Sequence, residues 1–135
     1  MNRTIRREQI FKILYRAEFF EPDQMEDQCR LYFESGDQTF TPADQAYIMD
    51  HVRGILDKLP ELDEDIGAAS KNWSFSRIGK VELAILRQAL YSIRYDDDVS
   101  TVTAIVEAVE MAKKFGQDGA GAYVNGVLAQ FADKK

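Results

Sequence analysis

An all-α fold of about seven helices is what this sequence predicts, and three observations carry the prediction. Only three prolines and eight glycines interrupt 135 residues. The β-branched residues rarely alternate with polar ones, as a half-buried strand would require, and apolar residues recur instead at i, i+3 and i+4.

The first helix is expected from about Thr4 to Phe20, with Ile10, Ile13, Leu14 and Ala17 at helical spacing and Pro22 beyond its end. The second puts Met25, Cys29, Tyr32 and Phe33 on one face and stops at Ser35 and Gly36. The third has the clearest start in the chain: Thr41 as N-cap, Pro42 in the first helical position and Asp44 three residues after Thr41. Ile48, Val52, Ile55 and Leu56 form its apolar stripe. Pro60 opens a fourth helix, in which Leu62, Ile66 and Ala69 recur before Trp73.

Ser76 is the expected cap of a fifth helix running from about Arg77 to Tyr95. Its apolar positions, from Ile78 and Val81 through Leu83–Leu86, Ala89, Leu90 and Ile93, leave little polar surface, so it is expected to be the central apolar helix around which the others pack. Ser100 caps a sixth, whose Val102, Ile105, Val106 and Val109 are expected to face inward. Lys113 and Lys114 suit its negative C-terminal end, and Gly116 ends it. The seventh starts near Asp118 and buries Val124, Val127, Leu128 and Phe131. Gly119, Gly121 and Gly126 each disfavour a helix by about 1 kcal/mol relative to Ala. Close backbone approach should compensate, with Gly126 read as a packing position and Asn125 as a cap or network residue.

Length and composition fit one domain over residues 1–135, with 45% hydrophobic and 30% charged residues. No apolar run approaches the roughly 20 residues that span a bilayer, and the opening Met1-Asn2-Arg3 lacks an apolar signal core, so a cytoplasmic protein is expected. Cys29 is the sole cysteine, which excludes an intramolecular disulfide and a cysteine zinc cluster.

Enzyme chemistry finds no support. His51 is the only histidine, and Asp50 beside it points elsewhere on a helix, so no Ser–His–Asp or Cys–His set can be assembled from spacing. Asp96, Asp97 and Asp98 are adjacent in a turn, where carboxylates are usually hydrated and not fixed around a metal. No phosphate loop of the G-x-x-x-x-G-K-[ST] type occurs. Neither a cofactor nor a metal is expected.

The formal charge of −6 is unevenly spread. Residues 1–16 hold Arg3, Arg6, Arg7, Lys12 and Arg16 against Glu8 alone, a local +4 that leaves −10 on the remainder. A local anion-binding end on an acidic body fits this polarity, and so does a helix end made soluble by arginines. Charge alone leaves both open.

Three blocks identify a family. Asn72-Trp73 to Ile93 reads NWSFSRIGKVELAILRQALYSI, Ala104 to Leu128 reads AIVEAVEMAKKFGQDGAGAYVNGVL, and Arg6-Arg7-Glu8 precedes Ile13-Leu14-Tyr15. Together they resemble the NusB family pattern of a Trp, an Arg-Ile or Arg-Leu pair, an A-I-L-R stretch, E-A-V-E-x-A-K-x-F-G and F-V-N-G-V-L, over nearly the whole chain and in order. Four positions depart from it: Ser100 stands for the usual Pro, Val106 for Asn and Tyr123 for Phe, and the basic opening is sparser.

The resemblance implies two three-helix bundles with an extra helix. It further implies binding of boxA RNA as a heterodimer with ribosomal protein NusE, within the complex that helps RNA polymerase resist termination on ribosomal RNA operons. NusB-like domains also occur fused to RNA methyltransferases, and a chain of this length is expected to lack a methyl-donor domain.

Arg3, Arg6 and Arg7 sit in the first turns of a helix, where the macrodipole opposes cations, so an anionic partner would relieve the conflict. Arg3 and Arg7 continue the line of Ile10 and Leu14, with Arg6 beside it, and their guanidinium groups should emerge at one end of the buried stripe. With the family pattern added, they are candidate phosphate contacts. Unstacked bases need flat partners, and Tyr15 and Tyr123 are the candidates; the alternative is ordinary boundary tyrosines with satisfied hydroxyls. Lys113 and Lys114 suit phosphate and the helix terminus equally. Glu82 matches a family position that contacts NusE, whereas Arg87 is read as a structural ion pair. The competing function is a helical protein-interaction module with weak or lost RNA binding, and a homodimer hiding the basic end is its variant.

Overall fold

In a computed structural model, described over residues 1–36, 38–70 and 78–132, the all-α expectation holds: among the described residues there are seven α-helices, one 3-10 turn and no strand. The expectations for Trp73, Ser76 and Arg77 lie outside the described residues. The helices fall into two compact units, Met1–Asp57 and Lys58–Lys135.

The first unit holds α1 (Arg3–Arg16), a 3-10 turn at Pro22–Gln24, α2 (Met25–Glu34) and α3 (Pro42–Asp57). Asn2 caps α1, its side-chain oxygen accepting the Ile5 N–H at 2.8 Å, a helix start absent from the expectations above. The helix ends at Arg16 and not at Phe20. The N–H groups of Ala17, Glu18 and Phe19 donate three residues back, to Leu14, Tyr15 and Arg16, so the chain tightens well before Pro22.

Ile10, Phe11, Ile13 and Leu14 are buried on α1, together with Met25 and Cys29 of α2 and Ile48, Val52 and Ile55 of α3. The α1–α2 contact also carries a hydrogen bond from the Tyr32 hydroxyl to Gln9 Oε1. Burial pushes the Cys29 thiol up to about 11, so it packs as a small apolar group and not as a nucleophile. The start of α3 is as expected: the Asp44 N–H donates to Thr41 Oγ1 at 3.1 Å, and the Thr41 N–H donates to Asp44 Oδ2 at 3.2 Å.

The second unit holds α4 (Leu59–Ala69), α5 (Lys80–Tyr95), α6 (Thr101–Phe115) and α7 (Ala120–Ala129). Within it α5 packs against α4, α6 and α7, and every residue from Leu83 to Leu90 is buried. Arg87 belongs to that run. Its Nε and Nη2 donate to Asp63 Oδ1 and Oδ2, both at 2.8 Å, a fork that satisfies the buried charge and makes Arg87 the structural pair expected.

The face of α6 differs from expectation. Val102 is 71% and Val106 54% exposed, while Ala104, Ala108, Met111 and Ala112 are buried. Both sets have helical spacing, and the short alanines let α5 and α7 come closer than valines would. Ser100 caps the helix as expected, accepting the Thr103 N–H at 3.1 Å.

Gly116 and Gly121 answer the question of compensation. A Cβ on Gly116 would lie 2.7 Å from both the Ala112 carbonyl oxygen and the Ala120 Cβ, and one on Gly121 would lie 3.1 Å from Lys113 Cγ. Gly119 opens α7 at φ 86°, a conformation other residues seldom adopt. Gly126, by contrast, is exposed with open space where a Cβ would be, so it is not the packing position expected. Asn125 is exposed too, beside Val106 and Val109 in a shallow hollow.

The α6 assignment is tested by two substitutions in thermal denaturation. Ala108→Leu overpacks the core and should cost about 1–3 kcal/mol, whereas Val106→Asn should stay within about 0.5 kcal/mol. Equal losses would put Val106 in the core and contradict the assignment.

Candidate nucleic-acid interface

The N-terminal end of α1 collects the expected arginines but treats each differently. Arg3 is exposed. Arg6 donates from Nε to Asp44 Oδ1 at 2.9 Å, its Nη2 lies 2.9 Å from the same oxygen, and its guanidinium carbon sits 4.9 Å from the centre of the Tyr47 ring. Arg7 is only 3% exposed, so its guanidinium does not emerge at the surface as expected. The line from Arg7 to Ile10 and Leu14 continues the buried stripe itself, and the long side chain follows it inward.

Asp44 therefore serves two elements. It closes the cap of α3 with Thr41 and also neutralises Arg6 on α1, with the Met1 amine 3.6 Å from its other oxygen. Burial pulls its carboxyl up, but hydrogen bonds from the Thr41 backbone and hydroxyl and from Arg6 outweigh this and hold it down to about 2. The conflict between Arg6 and the macrodipole is thus relieved from inside the protein. In the sequence Asp44 is marked only as a cap residue, since nothing local ties it to a residue 38 positions away.

Tyr15 lies at the boundary as expected, half-buried, its ring 6.5 Å from that of Phe11 and 5.3 Å edge-to-face from that of Phe19. Lys12 is exposed one turn earlier. Farther along the first unit, His51 is satisfied by donating from Nδ1 to the Tyr47 carbonyl at 3.0 Å, and its ring lies on that of Tyr47.

In the second unit, Tyr123 and Glu82 line one hollow of about 510 Å³ with Ile78, Gly79, Gln117 and Asp118. The hydroxyls of Tyr123 and Ser70 share a hydrogen bond at 2.6 Å, so the polar end of Tyr123 is committed and its ring is what the hollow presents. Two glycines leave room for the carboxylate: a Cβ on Gly79 would fall 2.5 Å from Glu82 Oε2, and one on Gly116 would fall 3.3 Å from Glu82 Oε1. With Asp118 beside Glu82, the hollow repels phosphate and suits a base, a cationic group or a polar protein segment. Lys113 and Lys114 are exposed in the last turn of α6. No group of metal-ligating residues and no helix long and apolar enough to cross a membrane occurs among the described residues.

A model of the NusB family matches residues 4–133. The chain is 43% identical over 133 residues to a transcription antitermination protein NusB of Lachnoclostridium phytofermentans, covering 98% of this chain and 100% of the relative. Among solved structures, T. maritima NusB superposes with a TM-score of 0.85 at 30% identity, covering 99% of this chain and 92% of that one. A structure of antitermination factors NusB and NusE in complex with dsRNA has a TM-score of 0.77 at 22% identity, covers each chain fully (100% and 100%), and speaks for the fold.

The Asp44 arrangement predicts a specific acid response. Its folded pKa lies below the unfolded value of about 3.9, so its stabilisation is complete above roughly pH 4 and is lost as pH falls toward 2. Asp44→Asn should lower the thermal midpoint at pH 7 and flatten its decline between those pH values. Parallel pH profiles for the two proteins would contradict the assignment.

Proposed function

The chain belongs to the NusB family, and on that premise we propose that it binds boxA-type single-stranded RNA together with ribosomal protein NusE, acting in the cytoplasm on RNA polymerase at ribosomal RNA operons. It is a transcription antitermination factor and not an enzyme. The RNA reading rests on α1, the net-basic opening of an otherwise acidic chain, where exposed Arg3 and Lys12 accompany the half-buried Tyr15 ring.

In this reading Arg3 contacts phosphate and Tyr15 stacks on an unpaired base. Arg6 keeps part of its guanidinium exposed while Asp44 fixes its position. Arg7 supports α1 from within. In the second unit, the Tyr123 ring receives a base while Glu82 meets NusE. The lower count of available cations favours weak binding by the chain alone, which the partner strengthens.

Titration of a short single-stranded boxA-like RNA, with and without NusE and at two salt concentrations, tests this. The expected outcome is weak binding alone, tighter binding with NusE and a marked loss at high salt. Arg3→Ala should reduce the magnitude of the log–log salt slope by about 0.7, and Tyr15→Ala should cost about 1–3 kcal/mol of RNA affinity, neither lowering thermal stability appreciably. NusE binding that RNA does not change, with no RNA titration at either salt, would instead establish a protein-interaction module.

A further inference from the structure

We propose that the exposed valine face of α6, in the second unit, is a self-association surface on which a second copy of this chain packs in an antiparallel, two-fold arrangement. The inference does not draw on the RNA reading. It also differs from a homodimer through the basic end, because the face is built from α6 and α7.

Val102 and Val106 are 71% and 54% exposed. They begin a line that Val109 and Lys113 continue at i, i+4, i+7 and i+11, a single stripe along the helix. Beside it, Ile105, Val106 and Val109 meet Ala122 and Asn125 of α7 in a shallow hollow of about 440 Å³. Ile105 and Val109 are half-buried, so the apolar surface is continuous and not a pair of isolated valines. Exposed β-branched side chains neither favour the helix nor serve the core. At Val106 the family pattern has Asn, so this surface belongs to the chain and not to the pattern.

The charges around the stripe fit a second copy. Exposed Asp97 and Asp98 precede α6, exposed Lys113 and Lys114 stand in its last turn, and the stripe between them is uncharged. The helix macrodipole accounts for both charged ends but not for the valines. A second α6 running antiparallel meets each end with the opposite sign. With Val106 against Val109 of the second copy, Lys113 stands level with the other Val102, and its side chain reaches toward the other Asp97 and Asp98. Within one copy the Lys113 amine lies 3.9 Å from Glu110, a loose pair of largely exposed side chains, so it can turn to the other copy. The two-fold axis repeats every contact, so one surface serves both copies. A parallel or uniformly charged partner would bring like charges together at one end. Area limits the strength of pairing. The 15 residues of α6 rise about 22 Å, and with α7 roughly 9 Å away the face offers roughly 450 Å² per copy. Two copies bury about 900 Å², below the roughly 1,200 Å² of a stable complex, so the pairing is reversible.

Sedimentation velocity of the full chain, from low to high micromolar concentration, tests this. The average mass should rise from that of the 15.4 kDa chain toward twice that value. Val102→Lys with Val106→Asn should weaken pairing about tenfold or more, with the thermal midpoint at low concentration unchanged. Lys113→Glu with Lys114→Glu, and separately Asp97→Lys with Asp98→Lys, should each leave the chain monomeric over that range. An equimolar mixture of those two variants should pair, because each supplies the charge that the other has lost. A chain that is monomeric at every concentration overturns the inference. So does pairing that the valine substitutions leave intact, which would put the contact elsewhere. Pairing that the valine substitutions abolish but the mixture does not regain rejects the antiparallel arrangement and the inference with it. If the unaltered chain stays monomeric and the valine substitutions lower its affinity for NusE, the face is a contact for that protein and the inference is again overturned.

Discussion

One buried carboxylate organises the basic end of the chain. Asp44 completes the capping box of α3 and in the same position accepts both donors of Arg6 from α1. Removing its carboxylate would take away the acceptor of the Thr41 N–H, half of the capping box, and leave a guanidinium unbalanced at the positive end of a helix. The pairing also limits function. Of the five cations in residues 1–16, Arg6 is neutralised by Asp44 and Arg7 is buried, so in the proposed RNA reading phosphate attraction falls to Arg3, Lys12, the half-buried Arg16 and the exposed part of Arg6. A binding surface with few cations depends correspondingly more on rings.

The second unit is built on a different constraint, close approach. The continuous burial of α5 from Leu83 to Leu90 requires neighbours on several sides, and the alanine face of α6 and the glycines at the α6–α7 junction supply them. That junction and the start of α5 together shape the hollow that Tyr123 and Glu82 share, because Gly116 at the one and Gly79 at the other leave space for the Glu82 carboxylate. Packing and site are thus set by the same small residues.

Much of this fold was legible in the sequence because local chemistry marks helix starts. Thr41-Pro42-Asp44 and Ser100 form the caps they advertise, and the stripes of α3, α4 and α7 are buried where spacing puts them, apart from Leu56, which is half-buried. The inner face of α6 was not legible. Hydrophobicity ranks Val102 and Val106 above Ala104 and Ala108, whereas the packing distance that chooses alanine is a property of the neighbouring helices. The site was less legible still. Helical spacing correctly aligned Arg7 with Ile10 and Leu14, but the alignment means burial, not emergence at the surface. Asp44 gave no signal for the role described, because its partner is remote in sequence.

The central claim is that RNA lies along α1. Photo-crosslinking of a 4-thiouridine-substituted single-stranded RNA to the complex with NusE, followed by peptide mapping, tests it directly. The account predicts crosslinks within residues 3–16, with Tyr15 among the modified positions, in addition to any at Tyr123. Crosslinks confined to the second unit, around Lys113 and Lys114, would contradict it.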